Sequence, residues 1–222
     1  KINMPEFSKY INEILKKLEF CEGDIVFLVS DLTNILISYK NEDSNYILNT
    51  IIDSLIEIIG EKGTILLPTY NFDFCKGITF DYLNSPVHSG ALGKIALKRN
   101  DFTRTTNPIY SFAVTGKDKK KLYELKHSSC FGLDSPFDYL YKNNAKYFSI
   151  GIDIKDAGFT PGHYIEEQMQ VSYRYFKKFI GDYIDENANK KTVSYKFYVS
   201  DKSKSVRTGI KPIIDELLID IK

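Results

Sequence analysis

Apolar positions at i, i+3 and i+4 run through residues 7–18, where Phe7, Tyr10, Ile11, Ile14, Leu15 and Leu18 form one stripe. That spacing predicts an amphipathic helix, and Gly23 closes the region. "DIVFLVS" (24–30) is a short, continuous apolar run of the kind that forms a buried strand. The helical period returns after Ser44, which is placed to cap a second helix with Ile47, Leu48, Ile51, Ile52, Leu55 and Ile59 on its inner face. "GEKG" breaks that helix, and "TILLPTY" (64–70) follows as another apolar strand. Strand, helix and strand in this order predict a βαβ unit with parallel strands.

The pattern is less regular further on. Residues 71–90, "NFDFCKGITFDYLNSPVHSG", read as a long polar and aromatic loop, a length that compact domains usually keep for function. A short helix is expected over 91–98, a strand over 110–116, a helix over 117–126 and a buried strand over 145–152. "KDKKK" reads as a solvated helix face. Beyond residue 170, "SYRYFKKFIGDYID" and "KKTVSYKFYVSD" flank the turn sequence "ENANK" and predict an antiparallel hairpin packed on the main sheet. "GIKPIIDELLID" (209–220) predicts a closing helix with Pro212 in its first turn. The expected fold class is α/β, a mixed central sheet with helices on both faces and a C-terminal antiparallel hairpin. Residues 1–222 are expected to form one domain, with its core over about 24–181 and a β-rich extension over about 172–222.

Composition narrows the partners. Hydrophobic residues make up 43% and charged residues 27%, which places the chain among globular proteins. Thirty basic residues nearly balance twenty-nine acidic ones, so no strong field exists for nucleic acid or an anionic membrane. Cys21, Cys75 and Cys130 are far apart and form neither a disulfide framework nor a metal-ligand spacing, so no metal is expected. The opening "KINMPEFSKY" lacks an apolar core, so no signal peptide is expected. The expected location is the cytoplasm.

The chemistry centres on "DAGFTPGHYIEEQMQ" (156–170), where His163 and Glu166 fall at i, i+3 on one helix face. A carboxylate there can fix the imidazole tautomer and make a general base. A polar pair on a solvated helix face has the same spacing, so the residues alone leave both readings open. No G-x-S-x-G elbow, G-x-G-x-x-G fingerprint or phosphate-binding loop is present.

Taken in order, "GTILLPTYNF" (63–72), "SPVHSGALGKIALKR" (85–99), "RTTNPIYSFAVTG" (104–116), "CFGLDSPFDYLY" (130–141), "FSIGI" (148–152) and "FTPGHYIEE" (159–167) resemble the aminoglycoside 3-N-acetyltransferase family. The resemblance covers about residues 24–181 and leans towards members associated with surface-polysaccharide gene sets. It implies an acetyl-CoA-dependent N-acetyltransferase acting on an amino group of an aminoglycoside or a nucleotide-linked amino sugar. Its expected partners are CoA and a small-molecule amine, and a homodimer is a further expectation.

The resemblance also implies residue roles. It makes His163 the base and Glu166 its carboxylate. Ser30, Asp31, Thr69, Gly90 and Ala91 would line the acetyl-CoA site, and Tyr70 and Asn107 would meet the acceptor. Asp73, Asp81, Asp134 and Asp153 are candidate carboxylates for a polycationic acceptor, and "YRYFKK" a candidate surface for a nucleotide sugar. The family commonly carries His-Pro where this chain has Asn107-Pro108, and a histidine where it has Val29. These departures support an alternative reading, a non-catalytic relative that binds CoA or a sugar. The loop at Asn107 is expected to tolerate an imidazole.

Overall fold

The computed structural model describes residues 4–152 and 159–204. The expected helix over 209–220 and the candidate Asp153 lie outside the described residues.

Helix α1 (Met4–Lys17) buries Phe7, Ile11 and Leu15, while Tyr10 and Leu18, counted in its apolar stripe, stand half exposed. Strand β1 (Ile25–Ser30) follows, then the short helix α2 (Thr33–Ser38), which the apolar pattern does not announce. In α3 (Ser44–Ile59) all six expected inner-face residues are buried. Its cap is Asp43, whose side chain accepts the Asn45 N–H at 2.9 Å, and Ser44 is the first helical residue. The correction is one position: a carboxylate there satisfies an orphan N–H of the first turn as well as a hydroxyl does.

Strand β2 (Thr64–Pro68) pairs parallel with β1, as the βαβ pattern predicts. The chain then forms the two-residue strand β3 (Phe80–Asp81), helix α4 (Ala91–Ala96), strands β4 (Thr103–Arg104) and β5 (Phe112–Gly116), and helices α5 (Lys119–Glu124) and α6 (Pro136–Lys142). Strand β6 (Lys146–Ile150), helix α7 (Gly162–Gln168) and the long strands β7 (Arg174–Ile184) and β8 (Lys190–Ser200) complete the described elements. The main sheet has the order β4-β5-β2-β1-β6, with β6 parallel to β1 and β5 antiparallel to β2. It is mixed, as expected.

Alternation along the central strands separates two cores. Val26 and Leu28 of β1, with Ile65 and Leu67 of β2, point to an aliphatic cluster built with α1, α3 and α4. Phe27, Leu66 and Phe112 point the other way, into an aromatic cluster that takes Leu122 of α5, Phe137 of α6 and Tyr164 of α7. Helices therefore cover both faces.

The hairpin β7–β8 is antiparallel, and its turn is held by Asp185 Oδ1, which accepts the N–H groups of Asn187 and Asn189 at 3.0 and 2.9 Å. Tyr183 and Tyr198 carry it onto the aromatic face. The 71–90 loop is more ordered than its composition suggests, since β3 joins β7 as a third strand. Arg104, fully buried, bolts that loop to the sheet. Its guanidinium donates to the carbonyls of Ser85 (2.9 Å) and Thr69 (3.1 Å) and lies 4.7 Å from the Phe80 ring centroid. The "KDKKK" face is solvated at Lys120 and Lys121, while the Lys119 ammonium donates to the Asp101 carbonyl.

Candidate active site

Helix α7 opens after Pro161, and the His163 N–H closes its first turn on the Thr160 carbonyl at 3.0 Å. One turn of helix then carries Glu166 back to the imidazole, and His163 Nδ1 lies 2.6 Å from Glu166 Oε2. An ionised carboxylate only accepts, so Nδ1 carries the proton and Nε2 keeps its lone pair. The imidazole packs on Phe131, with ring centroids 5.2 Å apart, and its side chain is 28% exposed. Burial pushes its pKa below the ordinary imidazole value, opposed by the bond to Glu166 and reinforced by the charge of Arg174. The result is a neutral, oriented imidazole with access to solvent.

The first two residues of "YRYFKK", read from the sequence as part of a candidate sugar surface, instead complete this cluster. The Tyr173 hydroxyl donates to Glu166 Oε1 at 3.2 Å, and Arg174 Nε lies 2.8 Å from Glu166 Oε2. The Arg174 pair meets as ions, off the N–H axis. Its Nη1 donates to the Tyr198 carbonyl at 3.0 Å. No sequence spacing marks these partners, because α7 ends at Gln168 and Gln170 turns the chain with a φ of +48°.

The candidates at the start of the sheet gather separately. Ser30 ends β1 and Asp31 follows it, its N–H donating to the Ile150 carbonyl of β6 at 2.9 Å. Gly90 has a φ of +110°, and a Cβ there would sit 3.5 Å from the Ser30 carbonyl oxygen. Ala91 begins α4 beside it. Ser30, Asp31, Gly90 and Ala91 thus converge at the carboxyl end of β1, the edge at which α/β sheets hold ligands. The exposed Asp31 carboxylate accepts the Thr33 N–H, and the hydrogen bonding at Thr33 lowers its pKa.

Thr69 and Asn107 have inward-facing partners. The Thr69 side chain is fully enclosed, with its hydroxyl 2.8 Å from Ser111 Oγ. Asn107 is 0% exposed; its Oδ1 accepts the N–H groups of Ile109 and Tyr110, each at 2.8 Å. Its amide nitrogen reaches Cys130 Sγ at 3.8 Å, so it stands behind Phe131, the residue on which His163 packs. The expected tolerance of an imidazole at 107 is corrected by this enclosure: a larger ring offers one acceptor where the amide oxygen takes two N–H groups. Val29 is partly buried against the aromatic cluster. Tyr70 is buried, and burial raises its phenol far above the usual range, with Tyr110 adding to the rise and a hydrogen bond with Thr160 opposing it. Rings step from Tyr70 to Tyr110 (4.7 Å), to Phe131 (4.7 Å) and to His163 (5.2 Å), so Tyr70 is linked to the imidazole through the core.

Two of the candidate carboxylates are engaged locally, while Asp134 is exposed. Asp73 pairs with Lys76 at 2.9 Å and His88 at 3.4 Å, and Asp81 Oδ1 accepts the N–H groups of Leu83 and Asn84. Among the described residues no group of histidine, cysteine and carboxylate side chains has a metal-holding arrangement. None of the described helices is long and apolar enough to cross a membrane.

An imidazole–carboxylate pair on a helix beside a mixed sheet defines the class: an α/β protein with a histidine–glutamate dyad. Residues 39–210 match the family model described as Aminoglycoside 3-N-acetyltransferase. The chain belongs to that family, whose members are acetyl-CoA-dependent N-acetyltransferases. The match extends past the stretch that carries the sequence resemblance and takes in the whole β7–β8 hairpin. The fold is similar to that of the aminoglycoside acetyltransferase AAC(3)-Xa, at 19% identity and a TM-score of 0.77, covering 96% of this chain and 81% of that one. It is also similar to AAC-IIIb in its binary complex with CoASH, at 16% identity and a TM-score of 0.74, over 96% and 84% of the two chains. The YokD protein from Bacillus subtilis aligns at 20% identity with a TM-score of 0.68, over 88% and 83%. A search of the curated proteins finds no match.

Proposed function

We propose that this chain transfers the acetyl group of acetyl-CoA directly to an amino group of an amino sugar, with His163 as the general base. The observation that carries the reading is the 2.6 Å contact between His163 Nδ1 and Glu166 Oε2 on a partly exposed ring whose pKa lies below the ordinary value. An acceptor amine is a cation near neutral pH and cannot attack until it loses a proton. His163 Nε2 takes that proton, and Glu166 holds the ring and balances the imidazolium. When bound, acetyl-CoA supplies an activated acyl group, and the released thiolate recovers the proton from His163. The carboxyl end of β1 suits the cofactor arm: Gly90 leaves its own backbone and the Ser30 carbonyl uncovered by a side chain. No covalent acetyl-enzyme is required.

Family membership supports an aminoglycoside acceptor, and the CoASH complex of AAC-IIIb supports the cosubstrate. A nucleotide-linked amino sugar is the second reading. It is favoured by the engagement of Asp73 and Asp81 in local contacts and by the exposed Tyr175, Phe176, Lys177 and Lys178 on β7. Calorimetry with acetyl-CoA, followed by thiol release against one aminoglycoside and one nucleotide amino sugar, tests both. Thiol release with either amine identifies the acceptor class. Acetyl-CoA binding with no release on any amine of a broad panel would overturn the catalytic reading in favour of a non-catalytic relative.

A further inference from the structure

A carboxylate bonded to a histidine creates a difficulty for a base that must work near neutral pH. It orients the ring, but its negative charge also favours the imidazolium, and a protonated imidazole accepts nothing. An unopposed charge at this distance raises such a pKa by about 1–3. In this protein the carboxylate is not alone. Glu166 Oε2, the oxygen that meets His163 Nδ1 at 2.6 Å, lies 2.8 Å from Arg174 Nε, while Oε1 accepts the Tyr173 hydroxyl. The Arg174 side chain is 6% exposed and is anchored from behind by the Tyr198 carbonyl of β8. Its charge therefore acts in a poorly screened setting, where such pairs are strongest.

We infer that Arg174 is the positioning residue that makes His163 usable as a base: its guanidinium cancels the charge of Glu166 at the imidazole and leaves the orienting hydrogen bond in place. The inference rests on the proposed role of His163. The groups around the ring divide clearly. Helix α7 contributes Glu166; the segment entering β7 contributes Arg174, and Tyr173 acts on the carboxylate. The 128–131 loop contributes the apolar Phe131. Burial and Arg174 act on the imidazole in one direction and Glu166 in the other, and the balance falls on the neutral side. This also gives the hairpin a function. Arg174 is its first residue, delivered to α7 only because the chain reverses after Gln170 and β8 supplies the Tyr198 carbonyl.

The test is titration of the histidine ring protons by NMR together with the pH profile of kcat/KM. Only three histidines occur in the chain, so His163 is assignable by single replacement. Arg174→Gln is expected to raise the His163 pKa by about 1 or more and to move the acid limb of the rate profile up by the same amount. Near pH 6 the rate then falls about tenfold for every pH unit by which that limb moves, with recovery towards wild type at pH 9. Arg174→Lys, which keeps the charge, should hold both close to wild type. Glu166→Gln should move the titration the opposite way, downward, because it leaves Arg174 unopposed. An unmoved His163 titration in folded Arg174→Gln, or an equal rise in Arg174→Lys, would overturn the inference. If Arg174→Gln does not fold, Glu166→Gln decides, and an unchanged or raised titration there overturns it equally. A His163→Ala enzyme that kept its activity would remove the base assignment and leave the titration result standing. The two failures are therefore distinguishable.

Discussion

The two faces of the main sheet are built from the same strands and differ in what they can do. The face towards α1, α3 and α4 is aliphatic, with Ile47, Ile51, Leu55, Val26, Leu28, Ile65 and Leu67 interlocked and no ionisable group among the cluster residues. The other face is aromatic, and polar tips are threaded through it: Tyr70, Tyr110, Tyr164, Tyr183 and Tyr198 place hydroxyls beside apolar rings. Aliphatic packing supplies burial alone. Aromatic packing supplies burial together with hydrogen-bonding ends, and those ends fix the site. The Tyr164 hydroxyl, next in sequence to His163, donates to the buried Asp138 at 2.8 Å, and Tyr198 OH donates to the Val171 carbonyl at 2.8 Å. One face therefore holds the sheet together, and the other holds α7 in place against the hairpin.

Substitutions on the two faces should separate stability from turnover. The largest stability effect is expected at Leu55, almost wholly buried in the aliphatic cluster. Leu55→Ala should cost about 2–5 kcal/mol, read from the urea midpoint, with kcat per folded molecule unchanged. A proportional fall in kcat would show that the aliphatic face is coupled to the site. On the aromatic side, Asn107→His should cost about 1–3 kcal/mol, because one of the N–H groups of Ile109 and Tyr110 loses its acceptor. A stable Asn107→His protein with an altered pH–rate profile would place Asn107 nearer the reaction than its enclosure implies. Glu166→Gln should lower kcat by less than the about 10²–10⁴-fold loss expected when a general base is removed, since the imidazole remains but its orientation weakens.

The smallest expected effect is on stability at mild acid pH. Burial holds His163 and His127 below the ordinary imidazole value in the folded state. The unfolded chain then takes up these protons first, near the ordinary value of about 6.5. The contribution of these groups is present above that pH and is lost as pH falls from it towards the folded values. His127→Gln should flatten the decline in the urea midpoint over that interval, and an unchanged slope would remove His127 from the account.

How much of this is legible in the chain follows from where its signals lie. The aliphatic face reads well because its residues repeat locally: the 3.6-residue period of α3 and the apolar runs of β1 and β2 each lie within one element. The expected hairpin is visible for the same reason. Helix α6 escapes the pattern because "SPFDYLYK" mixes Pro136, Asp138 and two tyrosines, and its local signs are confined to its start, where Ser135 Oγ accepts the Asp138 N–H at 3.3 Å and Pro136 opens the first turn. Strand β3 escapes it because two residues carry no period, and they are ordered by pairing with β7 about a hundred residues later. At the site, the His163–Glu166 spacing is readable because both lie on one helix turn. The setting of Arg174 is not, because it depends on a chain reversal and on a carbonyl from β8. Arg104 is hidden in the same way, since its acceptors come from the end of β2 and the loop at Ser85.

The central claim is that the aromatic face presents a proton acceptor to the amine, and its most direct test is His163→Ala. The measurement is thiol release at saturating acetyl-CoA on the acceptor that wild type uses, alongside calorimetric acetyl-CoA binding and a check of folding. The expected result is a folded protein that binds acetyl-CoA much as wild type does and loses about 10²–10⁴-fold in kcat. Thiol release at the wild-type rate by that folded protein would contradict the account.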